Sequence, residues 1–187
     1  MASHPLSEGL TALLFDVTDG VGVITLNRPD KYNSCDLALV TELEHLYTEL
    51  RYDDSVKVVV LTGAGDKAFC TGIDRDFAMD NRQPDSPFMM DDPMLKLGPK
   101  QADLWKPVIT AVNGMCGGGA FYALGESEFI IAADHATFFD PHTTYGMAAC
   151  FEPMFMFGQM PWGELVRMSL MGNYERISAQ TAHGWGM

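Results

Sequence analysis

The sequence predicts an α/β fold in which helices pack on parallel strands. Three observations point there: short β-branched runs that stop at turn residues, a segment of three- and four-residue apolar spacing between the first two of them, and glycines that break the chain after strands. A length of 187 residues suits one domain, or one domain plus part of a second.

Val21-Gly-Val-Ile-Thr-Leu26 ends at Asn27-Arg-Pro29 and reads as a strand stopped by a turn. From Asp36 the period changes: Leu39, Val40, Leu43, Leu46, Tyr47 and Leu50 form one apolar stripe, an amphipathic helix capped by Ser34 or Asp36. Val56 to Thr62 is a nearly continuous apolar run, as in strands buried on both faces of a parallel sheet. The crossover joining these two strands is expected to be right-handed. Residues 76–103, rich in Asp, Pro, Met and Gln and carrying Met89, Met90 and Met94, read as a lid or a plain surface excursion. Val108–Val112 is a third strand, Gly114 to Gly119 lead into a small-residue helix through Ala123, and Phe129–Ala133 is a fourth strand. A helix over Glu164–Met171 follows, and another starts at Ser178 after the turn Gly172-Asn173. That last helix has only begun when the sequence reaches Met187, so a helical region starting near residue 160 is expected to be incomplete.

Composition narrows the function classes. With 47% hydrophobic and 20% charged residues the chain can bury a sizeable core. Its net charge of -13, from 12 basic and 25 acidic residues, argues against a nucleic-acid surface and means that local groups must hold any anionic ligand. The N-terminus has neither a basic nor an apolar leader region, and no apolar run reaches the roughly 18 residues of a membrane span. Cys35, Cys70, Cys116 and Cys150 are widely spaced, which fits reduced, packed thiols in a cytoplasmic protein.

Chemistry is expected in two glycine-containing loops after buried strands: Lys67-Ala-Phe-Cys-Thr-Gly-Ile-Asp74 and Asn113-Gly-Met-Cys-Gly-Gly-Gly-Ala120. Gly118-Gly119-Ala120 also opens a helix, where free N–H groups favour negative charge. Two such donors aimed at one oxygen form an oxyanion hole, worth about 3 kcal/mol per donor in a transition state. Tight packing alone is the competing explanation for the glycines. A third loop, Phe139-Asp-Pro-His-Thr-Thr-Tyr-Gly146, gathers Asp140, His142 and Tyr145. His142 is a candidate general base oriented by Asp140 or Glu152, and Tyr122 a candidate donor to substrate; the plainer alternative is that His142 is a hydrogen-bonded loop residue and Tyr122 merely packs.

Leu26-Asn-Arg-Pro-Asp-Lys-Tyr-Asn33 and the two glycine loops resemble, in order and separation, three signature segments of the crotonase (enoyl-CoA hydratase/isomerase) superfamily. Gly172-Asn-Tyr-Glu-Arg-Ile-Ser-Ala179 is similar to a later family segment, so the likeness spans residues 12–187. The resemblance implies a ββα spiral with two roughly perpendicular sheets, an acyl-CoA-binding core over residues 1–187, and trimers or dimers of trimers. It implies oxyanion donors at the backbone N–H groups of Ile73 and Gly119, the latter beside Gly118. It also implies contacts to CoA from Arg28, Lys31, Tyr32, Thr71, Gly72 and Asp74, with CoA entering as part of the substrate and no separate cofactor or metal. The family's paired catalytic glutamates are missing: Tyr122 and His142 stand at those positions, and Glu152, ten residues on, is an alternative base. The implied activity is hydration or isomerisation of an enoyl-CoA. Thioester or β-diketone hydrolysis and a catalytically silent acyl-CoA binder are the alternatives. A nucleotide-binding reading of Gly63-Ala-Gly65-Asp-Lys-Ala68 is weak because no acidic second strand follows, and zinc is weaker because His135 and His142 lack companions at ligand spacing.

Overall fold

The computed structural model describes residues 4–80 and 92–187. In chain order the elements are β1 (Leu13–Thr18), β2 (Val21–Leu26), α1 (Leu37–Leu50), β3 (Val58–Gly63), β4 (Ala68–Cys70), α2 (Arg75–Asp80), β5 (Val108–Val112) and β6 (Met115–Gly117). They continue with α3 (Ala120–Gly125), β7 (Phe129–Ala132), β8 (Thr137–Phe139), α4 (Phe151–Met156), α5 (Trp162–Met171), β9 (Ile177–Ser178) and α6 (Ala179–Gly184). Single 3-10 turns at Pro29–Lys31, Pro93–Leu97 and His142–Tyr145 lie between them.

The strands form the α/β arrangement of two sheets that the resemblance implied. The larger runs β1-β2-β3-β5-β7, antiparallel only between β1 and β2, and the smaller runs β4-β6-β8-β9. β4, β6 and β8 are mutually parallel, and β9 closes that sheet antiparallel to β8. Each of β3, β5 and β7 is followed within a few residues by its counterpart β4, β6 or β8, so the chain changes sheet three times in succession. The loops that leave β4, β6 and β8 therefore emerge side by side.

Several expectations need correction. β1 was not foreseen, although Leu13 to Thr18 alternates buried and exposed residues and meets β2 at an Asp19-Gly20 turn with φ of 51° and 81°. Positive φ at both turn residues matches the twist of a two-residue hairpin, so Asp-Gly was the missed signal. β3 starts at Val58, and its burial alternates instead of covering both faces. The two glycine loops do not leave β3 and β5; they leave β4 and β6, three-residue strands too short to show a period. Gly63 and Gly65 lead into a strand, not a helix, which rules out the nucleotide-loop reading. A Cβ on Gly63 would sit 2.5 Å from the Phe69 carbonyl oxygen and 2.7 Å from that of Ala68. The glycine thus serves the close crossing from β3 to β4.

Helix α1 buries Leu39, Val40, Leu43, Leu46, Tyr47 and Leu50, as its spacing requires, and Asp36 is the cap, accepting from Leu39 N at 2.9 Å. Within the lid segment, Arg75–Asp80 is helical and Met94 is buried in the core, whereas Met89 and Met90 lie outside the described residues. Cys35, Cys70 and Cys116 are buried thiols, but Cys150 is exposed and packs in no core. No helix among the described residues is long and apolar enough to cross a membrane.

Asn33 fastens the first turn to the β3–β4 crossing. Its φ is 53°, its side chain is buried, its Nδ2 donates to the carbonyls of Ala64 (3.0 Å) and Ala68 (2.8 Å), and its Oδ1 accepts from Arg28 N at 2.9 Å. Asn tolerates this left-handed backbone better than most residues do. We expect Asn33→Ala to cost about 2–4 kcal/mol, read as a lowered urea midpoint at unchanged m-value. A loss below about 1 kcal/mol would show that the clip is dispensable.

Candidate active site

Backbone contact between two loops forms the first half of the site. Gly72, after β4, has φ of 91°, and a Cβ there would lie 3.1 Å from Gly119 N and 3.2 Å from the Gly117 carbonyl. Gly118, after β6, has φ of 55° and faces Pro141 of the loop after β8, where a Cβ would meet the ring at 3.4 Å. All three exit loops therefore touch. Cys35 holds the first loop from below: its N–H donates to the Gly72 carbonyl and its carbonyl accepts from Asp74 N, each at 2.8 Å. That bridge leaves the Ile73 N–H outside the pairing. Among the described residues neither Ile73 N nor Gly119 N donates a hydrogen bond. α3 has only six residues, so what it offers at Gly119 is a free N–H group and little helix dipole.

The second half is a polar cluster in which a half-buried histidine meets two buried acids. His142 Nδ1 faces Asp140 Oδ1 at 2.5 Å, and its Nε2 faces Glu152 Oε1 at 3.3 Å. Asp140 is fully buried, accepts also from His142 N at 3.1 Å, and its Oδ2 has no partner among the described residues. Glu152 projects inward from α4, whose opposite face carries the exposed Met154. The hydrogen bond to Asp140 holds the His142 pKa above its usual value, with burial opposing and the charges of Glu152, Asp140 and Asp92 adding to the rise. Burial raises the Glu152 pKa, while His142 pulls it down. A carboxylate stranded in a poorly solvated site is costly unless a cation pairs with it. An imidazolium between Asp140 and Glu152 meets that requirement for both. Both of the proposed orienting acids thus hold His142, and the pairing favours its protonated form over the neutral base expected from the sequence.

Tyr122 corrects a second expectation. Its hydroxyl donates to Asp92 Oδ2 at 2.6 Å and its ring is buried edge-on to Phe155 at 5.3 Å, so in this arrangement its proton is not directed at a substrate. Burial followed by the Asp92 hydrogen bond drives its pKa upward and keeps the hydroxyl a donor. Asp92 was missed because it sat in a segment without periodicity. The available signal was Asp92-Pro93, an N-cap before a proline that opens a helical turn, and its Oδ1 does accept from Met94 N at 2.9 Å.

The residues expected to touch CoA divide into two groups. Arg28 is bound within the protein: its guanidinium meets Asp74 at 2.9 Å, Asp36 at 3.1 Å and the Ser34 carbonyl. Arg28 and Asp74 thereby tie the turn after β2 to the loop after β4. Lys31 and Tyr32 are exposed on that turn, Lys31 lies 3.7 Å from Asp76, and Thr71 Oγ1 donates to the Tyr32 carbonyl at 3.4 Å. Among the described residues no group of three or more His, Cys, Asp or Glu side chains converges as metal ligands would.

Residues 16–187 match a family model described as enoyl-CoA hydratase/isomerase. The chain is 33% identical over 180 residues to the 1,2-epoxyphenylacetyl-CoA isomerase of Escherichia coli (strain K12), covering 94% of this chain and 67% of that protein. It is 34% identical over 126 residues to the (E)-benzylidenesuccinyl-CoA hydratase of Thauera aromatica, covering 66% of this chain and 47% of the relative. The crystal structure of an enoyl-CoA hydratase/isomerase from Mycobacterium paratuberculosis superposes with a TM-score of 0.83 at 35% identity, over 96% of this chain and 67% of that one. The chain thus spans about half to two thirds of the length of these relatives.

Two measurements test this geometry. Gly72→Ala is expected to cost about 1–3 kcal/mol in urea unfolding, because it strains a left-handed position and presses on backbone atoms that cannot rotate away. Gly119→Ala, with φ of -55° and only the flexible end of Met94 at 2.5 Å from the new Cβ, should cost less; equal losses would contradict the close approach of the loops. The His142 pKa is raised above 6.5, so its stabilising contribution is complete below about pH 6.5 and is lost as pH rises through the folded-state value. The raised Glu152 pKa slopes the same way at lower pH. Unfolding midpoints measured from pH 5 to 9 (a window of about four units) should therefore fall on the alkaline side, and His142→Asn should flatten that fall.

Proposed function

The chain belongs to the enoyl-CoA hydratase/isomerase, or crotonase, family, and we propose from this that it binds an acyl-CoA thioester and moves a proton on its acyl carbons. The observation that carries the reading is the meeting of two loops, each offering a backbone N–H with no partner among the described residues, at Ile73 and Gly119, beside a half-buried histidine paired with a buried carboxylate. A thioester carbonyl held by both N–H groups makes the adjacent C–H acidic, because charge developing on oxygen during enolate formation meets donors already in place. The side chain of Ile73 is irrelevant to that role.

Glu152 is the base in this scheme. Its raised pKa gives it stronger proton affinity than an exposed glutamate, and the His142 imidazolium keeps it ionised near neutral pH. His142 returns a proton to the acyl carbon or to a departing oxygen, with Asp140 fixing its ring. Enoyl-CoA isomerisation needs one such shuttle; hydration needs a water oriented by the same pair. Hydrolysis through a histidine-activated water is less favoured, since it calls for a neutral imidazole where two carboxylates stabilise the cation. Gly118, Gly72, Thr71, Tyr32 and Lys31 border the CoA side of the reading, and trimeric assembly belongs to it as well.

A silent acyl-CoA binder is the second reading, and one observation favours it: Tyr122, at the position of a family glutamate, has its proton committed to Asp92. Calorimetric titration with an acyl-CoA separates the possibilities, with saturable binding expected under both. Glu152→Gln is expected to lower turnover about 10²–10⁴-fold while leaving acyl-CoA binding nearly intact. Wild-type rates in that variant would remove Glu152 from the mechanism, and binding with no turnover in any hydration or isomerisation assay would establish the silent reading.

A further inference from the structure

We infer that Asp92 is a positioning residue of this site: latched by the Tyr122 hydroxyl, it holds the turn Pro93–Leu97 over Gly119 and presents a third carboxylate to the His142–Glu152 pair. The inference rests on the proton-moving role proposed for that pair.

Geometry comes first. Both Asp92 carboxylate oxygens are engaged, Oδ1 by Met94 N at 2.9 Å and Oδ2 by the Tyr122 hydroxyl at 2.6 Å. The first bond starts a 3-10 turn, and the second ties that turn to α3, three residues past Gly119. Met94, on the same turn, is buried with its Cε where a Gly119 Cβ would be, only 2.5 Å away. The Tyr122–Asp92 bond therefore sets how closely the thioether packs over Gly119. No other hydrogen bond between described residues joins this turn to α3.

Charge comes second. The groups acting on His142 are Asp140 from its own loop, Glu152 from α4 and Asp92 from the turn beyond α2; those acting on Glu152 are His142, Asp140 and Asp92. Tyr122, facing Asp92 from α3, stays neutral as a donor. Asp140 and Glu152 contact the imidazole directly, Asp92 adds its charge from beyond them, and Asp92 is the one whose placement depends on a tyrosine. The two family glutamate positions here hold Tyr122 and His142, and the Tyr122–Asp92 pair restores negative charge to the first of them from a different stretch of chain.

The test uses Asp92→Asn and Tyr122→Phe in the whole chain, with the His142 imidazole followed by NMR as pH is varied in the absence of substrate. Asn keeps the acceptor for Met94 N and can still hydrogen-bond the Tyr122 oxygen, so it removes charge with little change of shape. The expected result is a His142 midpoint shifted to lower pH in Asp92→Asn, together with an unfolding midpoint close to the wild type. In Tyr122→Phe the carboxylate is released, and a shift in the same direction is expected. An unchanged His142 midpoint in Asp92→Asn would overturn the inference, and a shift there with none in Tyr122→Phe would overturn the latch. Because the titration needs no substrate, absence of acyl-CoA turnover would refute the proposed reaction without altering this result.

Discussion

The arrangement depends on one steric constraint: the backbone of Gly72 lies against the nitrogen of Gly119, where no side chain fits. Everything chemical about the site follows from that approach. It brings the loop after β4 against the loop after β6, and Pro141 against Gly118 brings the histidine loop to the same place. The approach is possible because the chain crosses from the large sheet to the small one after β3, β5 and β7, so that β4, β6 and β8 end side by side, β4 against β6 across a register shift. Asn33 and the Arg28–Asp74 pair then fasten the outer turn to this edge. These contacts make a stiff frame, and preorganised donors are effective only when the frame does not have to rearrange as charge develops.

A second constraint is electrostatic. Asp140 and Glu152 flank one imidazole, with Asp92 adding charge from beyond them, in a chain whose net charge is already -13. Burying carboxylates this way is unfavourable unless each has a counter-charge or a donor. Asp140 and Glu152 share His142, and Asp92 takes Tyr122 and a backbone N–H. The cost of removing His142 therefore extends beyond a lost proton carrier, because two acids would lose their common partner.

The legible part of the fold was the part with long-range period. The stripe from Leu39 to Leu50, the run Val21–Leu26 and the strand Val108–Val112 appear where spacing placed them, because a 3.6 or 2.0 repeat over enough residues leaves few alternatives. The small sheet was not legible from period. Ala68–Cys70, Met115–Gly117 and Thr137–Phe139 are three residues each, and their strand character comes from lateral pairing with one another. Two extended runs of the sequence therefore looked like loops, and close packing at their glycines stood only as the competing explanation beside a donor role. At the site, His142, Asp140 and Glu152 were nominated as a group and do meet, since they lie within thirteen residues of chain around one turn. Asp92 and Tyr122 meet across thirty residues, a pairing that no local pattern announces.

That difference in separation bears on how such a site departs from a two-glutamate pattern. Replacing a glutamate on α3 by tyrosine would remove a negative charge and add a bulky ring to a buried helix face. Here the ring is accommodated edge-on against Phe155, and the Asp92 carboxylate stands opposite the hydroxyl. The hydroxyl and the carboxylate form a donor–acceptor pair whose members sit on independent segments. A glutamate fixed to a helix keeps its place regardless of the turn above it. The Tyr122–Asp92 pair keeps its place only while that turn is closed, so the charge at His142 and the roof over Gly119 are bound to change together.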